Sequence, residues 1–110
     1  MRLFDQRVSR TALRDAEAYA KEGGQALHVW DPGPKRYPGA PGVFQRTRPW
    51  AHLIDYDLGR LTRTARRLGV RVIKVGREGD RLQHIDLCGK PLGQAMSLCE
   101  ENEEKHQIFG

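Results

Sequence analysis

Long apolar runs are missing from this chain, and their absence excludes a transmembrane helix. A bilayer span needs ~20 predominantly apolar residues, whereas mean hydropathy here is −0.68 and hydrophobic residues make up 38%. A secretory signal is missing too: in Met1-Arg2-Leu3-Phe4-Asp5-Gln6, two polar residues interrupt the stretch that should be apolar. Cysteine is scarce. Cys88 and Cys99 form no C-x-x-C pair and are too few for a disulfide scaffold, so reduced interior thiols are favoured over a bridge. There is no Gly-rich phosphate loop followed by Lys-Ser/Thr, no H-x-E with P-C-x-x-C, and no G-x-S-x-G. Nucleotide kinases, zinc deaminases and serine hydrolases are thereby disfavoured. What remains at 110 residues is one small, soluble, cytoplasmic domain over 1–110, without internal repeats.

Charge is plentiful and unevenly placed. Between Lys35 and Arg81 twelve basic residues face four acids, while Glu100, Glu101, Glu103 and Glu104 make the C-terminal end, 100–110, an acidic polar tail expected to fray. A basic middle attracts polyanions, meaning nucleic acid or a phosphorylated small molecule. A solvated Arg-rich surface with no anionic partner is the plain alternative.

The pattern along the chain predicts a helix over 10–22, with Leu13, Ala16 and Ala20 on one face and Gly23-Gly24 as its stop. Gln25 to Asp31 is rich in β-formers and reads as a strand. From Pro32 to Pro49 five prolines and three glycines fall in 18 residues, with Lys35, Arg36, Tyr37, Phe44, Arg46 and Arg48 among them. Loops this long are usually functional or disordered. Interleaved cations and rings suit phosphate contact and base stacking; a passive linker fits equally well.

A second strand is expected over Trp50–Asp55, then a helix capped by Asp57, with Leu58, Leu61, Ala65 and Leu68 in a stripe and Gly69 just past its end. With a third strand over Val70–Val75, this reads as a parallel βαβ unit. After a turn at Gly76–Asp80, the segment Leu82–Cys88 alternates, with Leu82, His84, Asp86 and Cys88 on one side. Pro91 opens a last helix whose buried face is Leu92, Ala95, Met96 and Cys99. The expected architecture is α/β: a four-stranded mixed sheet with three helices, in the order α-β-β-α-β-β-α.

His84 and Asp86 carry the most chemical information. Two residues apart on a strand, they share a face at about 6–7 Å, close enough for one divalent metal or an oriented acid–base couple. His52 and Asp55 on the second strand, and Asp31 at the end of the first, converge with them if those strands are neighbours, because open α/β sheets bind ligands beyond the carboxyl ends of their strands. A His/carboxylate set with open positions suits Mg²⁺, Mn²⁺ or Zn²⁺. Each residue also has a structural reading: Asp55 as a brace of the strand–helix turn, Asp31 as a turn residue, and His84 as a core histidine partnered by Asp86. His28 is preferred as structural. Cys88 on the His84/Asp86 face is a weak further ligand.

The segments Trp50-Ala-His52-Leu-Ile-Asp55, Leu61…Ala65-Arg-Arg-Leu68-Gly69-Val70-Arg71, His84-Ile-Asp86-Leu87, Lys90 and Ala95 together resemble an uncharacterised domain-of-unknown-function family, family 4031, of short bacterial and phage proteins. The resemblance covers about residues 27–99. It departs at Asp31-Pro32, where that family's pattern has two acids, and at Ile85, where it has tyrosine; the Pro-rich loop is also longer. The family implies no activity, but its pattern picks out His52, Asp55, His84 and Asp86.

Two functions follow as expectations. The first is a small metal-assisted hydrolase or nuclease-like protein acting on a phosphate-containing substrate. In it His52, Asp55, His84 and Asp86 hold the metal and activate water, and Arg46, Arg48, Arg60, Arg63 and Arg67 offset phosphate charge. The second is a non-catalytic phage or mobile-element accessory protein that binds nucleic acid or inhibits a host protein through the same basic surface.

Overall fold

The computed structural model describes residues 1–33, 48–70 and 82–109. They form a four-stranded mixed sheet with three helices in the order β-α-β-β-α-β-α: β1 (Arg2–Asp5), α1 (Ala12–Lys21), β2 (Gln25–Trp30), β3 (Trp50–Asp55), α2 (Leu58–Arg67), β4 (Gln83–Cys88) and α3 (Gly89–Phe109). The strands lie in chain order across the sheet. β1 runs parallel to β2, whereas β2/β3 and β3/β4 are antiparallel. No helix among the described residues is long and apolar enough to cross a membrane.

The mixed sheet and three helices match expectation, but the order of elements differs at the first strand. β1 is only four residues long, too short for its alternation to stand out in the sequence. It forms a parallel strand–helix–strand unit, β1-α1-β2, at the N-terminal end. The strand expected at Val70–Val75 lies, apart from Val70, outside the described residues, as does most of the Pro-rich loop, Arg46 included. At the other end α3 continues to Phe109, where a frayed tail was expected.

Alternation along the strands sorts side chains onto two faces. One face carries Leu27, Val29, Ala51, Leu53, Ile85 and Leu87, and α2 and α3 cover it with Leu61, Ala65, Leu68, Leu92, Ala95 and Cys99 in the main core. The helix α2 starts as its sequence demands: the Asp57 side chain accepts from the Arg60 backbone N–H at 3.0 Å. Gly69, at φ +79°, ends it. Both cysteines are buried.

The second face carries Phe4, Ala26, His28, Trp30, Trp50, His52, Ile54, His84, Asp86 and Cys88. Here α1 supplies the cover. Its buried stripe is Ala12, Ala16 and Ala20, small side chains that let the helix lie close on Ala26 and Ile54. Leu13, expected on that stripe, is instead 40% exposed. Because α1 packs mainly on β2 and β1, the β4 side of this face is left accessible. The polar side chains of β3 and β4 gather there.

Candidate metal centre

Register builds the site. His52 on β3 lies directly opposite His28 on β2 and Asp86 on β4, and His84 is opposite Ile54, one pleat away. Side chains directly opposed on one face have Cβ atoms ~4.5–5.5 Å apart, so three strands bring His28, His52 and Asp86 into one row. A ligand atom from each of His52, His84 and Asp86 lies within 4.8 Å of the other two. The closest approaches are His52 Nε2 to Asp86 Oδ1 at 3.4 Å and His84 Nε2 to Asp86 Oδ1 at 3.9 Å. His84 and Asp86 are half exposed and His52 is mostly buried, so the cluster faces solvent from a fixed base.

That base is tightly built. The His52 ring stacks on Trp30 at 4.3 Å between centroids and meets His84 edge-on at 5.0 Å. Its Nδ1 lies 3.4 Å from Nδ1 of His28, whose Nε2 lies 2.7 Å from Gln6 Oε1. Gln6 is pinned in turn. Its backbone N–H extends the β1/β2 ladder by donating to Val29 O, and Arg7 then closes a turn onto the Asp5 carboxylate. That contact holds Asp5 below the usual carboxylate range.

Burial, with His84 and His28 nearby, pulls the His52 imidazole down to about 4, so at neutral pH it carries no charge and its contact with Asp86 is not an ion pair. Burial lowers His28 as well. These shifts predict how stability depends on pH. On acidification the unfolded chain takes up a proton at these histidines near pH 6.5, whereas folded His52 resists until about 4. Stability therefore falls as pH drops from about 6.5 to about 4, by up to roughly 3 kcal/mol from His52 alone, and the His52 contribution levels off below that. Urea midpoints measured across this range should show the slope, and His52→Gln should flatten it. An unchanged slope in that variant would assign the effect to other groups.

Beside the cluster runs a groove of about 410 Å³ between α1 and the β3/β4 strands. Leu13, Glu17 and Lys21 form one wall; His52, Ile54 and His84 form the other. Its size lies within the range of small-ligand sites.

Not every expected site residue joins this cluster. Asp55 is a correction: it is fully buried on the opposite face of the sheet. There it accepts two hydrogen bonds from the Arg60 guanidinium, at 2.7 Å each, one from Gln25 Nε2 and one from the Asp57 backbone N–H. It braces the β3–α2 turn. The expectation that Asp31 and Asp55 meet at the strands' carboxyl ends fails because β2 and β3 are antiparallel, which puts those two ends at opposite ends of the strand pair. Asp31 caps a turn, accepting from Gly33 N–H, and lies 3.6 Å from Arg48. Arg60 is committed to Asp55 and to the Gly23 carbonyl. Arg63 and Arg67 are exposed on α2, across the sheet from His52. None of these three α2 arginines lines the groove.

Nothing in the sequence marks Gln6 or Trp30 as part of a site, and His28 reads there as structural. Only His28 and Trp30 left a trace, as alternate residues on a β-forming run. The chain matches no family model, and no curated protein or solved structure is significantly similar to it.

Proposed function

We propose that this chain is a small metal-assisted hydrolase, nuclease-like in chemistry, acting on a phosphate-containing substrate such as a nucleic acid or a nucleotide. The observation that carries this reading is the convergence of His52, His84 and Asp86, three ligand atoms within 4.8 Å, open to solvent at the mouth of a groove. Two imidazoles and one carboxylate leave coordination positions free, as catalytic sites require. A bound divalent ion supplies Lewis-acid charge for a phosphoryl oxygen and lowers the pKa of water. The chain's own residues do the rest. Lys21 on the groove wall offsets substrate charge, and Leu13 and Ile54 give the groove an apolar side. The likeness to family 4031 belongs to the same reading, since His52, His84 and Asp86 are among the positions its pattern picks out. A cytoplasmic location and a polyanionic partner go with it.

Turnover of a phosphodiester reporter and of single-stranded DNA and RNA, with Mn²⁺ or Zn²⁺ added, tests this. Activity should require the ion and vanish in His84→Ala. Ion-independent cleavage, or cleavage retained in that variant, would refute it.

One observation favours the non-catalytic reading, in which an accessory protein binds nucleic acid or a host protein. Arg63, Arg66 and Arg67 are exposed together on α2, on the side of the sheet away from the cluster. If that surface is what matters, Arg63→Glu with Arg67→Glu should weaken nucleic-acid binding by at least about tenfold and flatten its salt dependence by about two counterions. His84→Ala should leave it unchanged.

A further inference from the structure

The hydrogen-bond chain behind the cluster fixes which nitrogen of His52 is bare. A neutral imidazole has one N–H and one lone pair. The amide oxygen of Gln6 can only accept, so the contact at 2.7 Å requires His28 to carry its proton on Nε2. Nδ1 of His28 is then an acceptor, and the Nδ1–Nδ1 contact at 3.4 Å requires His52 to donate from Nδ1. The lone pair of His52 is left on Nε2, the nitrogen that lies 3.4 Å from Asp86 Oδ1. Two electron-rich atoms at this distance repel each other, and a cation or a donor shared between them relieves the repulsion.

The spacing favours one class of cation. Two donors on a tetrahedral ion with bonds of ~2.0–2.1 Å are separated by ~3.3–3.4 Å. An octahedral Mg²⁺ with bonds of similar length brings neighbouring donors to ~2.9 Å, and it prefers oxygen ligands and retained waters. The His52–Asp86 separation fits the first geometry; His84, at 3.9 Å from Asp86, is half exposed and able to close in. Metal-bound histidines commonly donate their other ring N–H to a fixed partner, and that outer partner is worth roughly 10–100-fold in affinity.

From this geometry we infer that Gln6 and His28 are positioning residues which, by setting the His52 tautomer, direct its Nε2 lone pair at a zinc-type late first-row divalent ion rather than at Mg²⁺. The inference rests on the metal-binding reading above and names the class of ion for that site. Gln6 touches neither ion nor substrate. It acts two hydrogen bonds away.

The test is Zn²⁺ and Mg²⁺ titration of the full chain and of Gln6→Leu, Gln6→Glu and His84→Ala, combined with ¹⁵N NMR of the histidine tautomers in the metal-free proteins. The wild type should bind Zn²⁺ at least ~100-fold more tightly than Mg²⁺ and show His52 protonated on Nδ1. Gln6→Leu, which cannot accept, should lose ~10–100-fold in Zn²⁺ affinity and shift the His52 signal toward the Nε2–H form. Gln6→Glu, whose carboxylate still accepts, should retain both properties, which separates loss of the acceptor from loss of folding. If the wild type and Gln6→Leu bind Zn²⁺ equally while His84→Ala does not, the metal site stands and the relay is overturned. An Nε2–H tautomer of His52 in the wild type overturns it as well. If the wild type takes up no Zn²⁺ at millimolar concentration, the site and the relay fall together.

Discussion

Replacing His84 or Asp86 is expected to abolish divalent-metal binding while leaving the protein folded. Both side chains are half exposed. Exposed substitutions of this kind usually move stability by no more than about 0.5 kcal/mol. Losing one of three protein ligands should cost far more than the roughly 100-fold typical of an outer partner. Asp86→Asn is the sharper variant because it keeps the shape and removes the charge. Calorimetry with Zn²⁺ and Mn²⁺, run beside thermal melts, should find no saturable binding and melting points near that of the wild type. Full binding in Asp86→Asn would remove the carboxylate from the site.

Replacing Asp55 should do the reverse. This carboxylate is wholly buried and accepts from Arg60, Gln25 and the Asp57 backbone. Asp55→Ala leaves the Asp57 N–H and Arg60 Nε without their acceptor, while Gln25 keeps Thr64 and Arg60 Nη2 keeps the Gly23 carbonyl. The Arg60 side chain is 38% exposed and can turn its charge to water, so the cost falls mainly on buried groups left unpaired, about 1–3 kcal/mol. Against a total of about 5–15 kcal/mol for a domain of this size, that is a sizeable fraction, and the melting point should fall by roughly 5–20 °C. Conditions that keep the variant folded should leave its metal affinity within about twofold of the wild type. A stable variant that no longer binds metal would mean Asp55 reaches the cluster, against the strand alternation.

These two outcomes mark where sequence reading held and where it stopped. The helix after β3 was legible to its caps, because Asp57, the Leu61/Ala65/Leu68 stripe and Gly69 are local signals that agree with one another. The shared face of His84 and Asp86 was legible as well, since β4 alternates. By contrast β3, Trp50–Asp55, is apolar on both sides, and nothing in its composition says which parity faces which layer. Counting alone could have separated His52 from Asp55: three residues apart on a strand, they point to opposite faces. The convergence of His52 with Asp86 depends on the β3/β4 register, and its support by His28 depends on the β2/β3 register. Both are properties of long-range pairing, which no local pattern encodes. β1 was hidden by its length, and with it the position of Gln6, whose partner lies 22 residues away.

The most direct test of the account is a cobalt(II) titration of the intact chain followed by visible absorption, with His52→Ala as the control. The account predicts uptake of one ion per chain, ligand-field bands typical of a low-coordinate mixed nitrogen–oxygen site, displacement by one equivalent of Zn²⁺, and no bands in the variant. A spectrum that stays featureless with cobalt in excess, or bands that persist without His52, would contradict it.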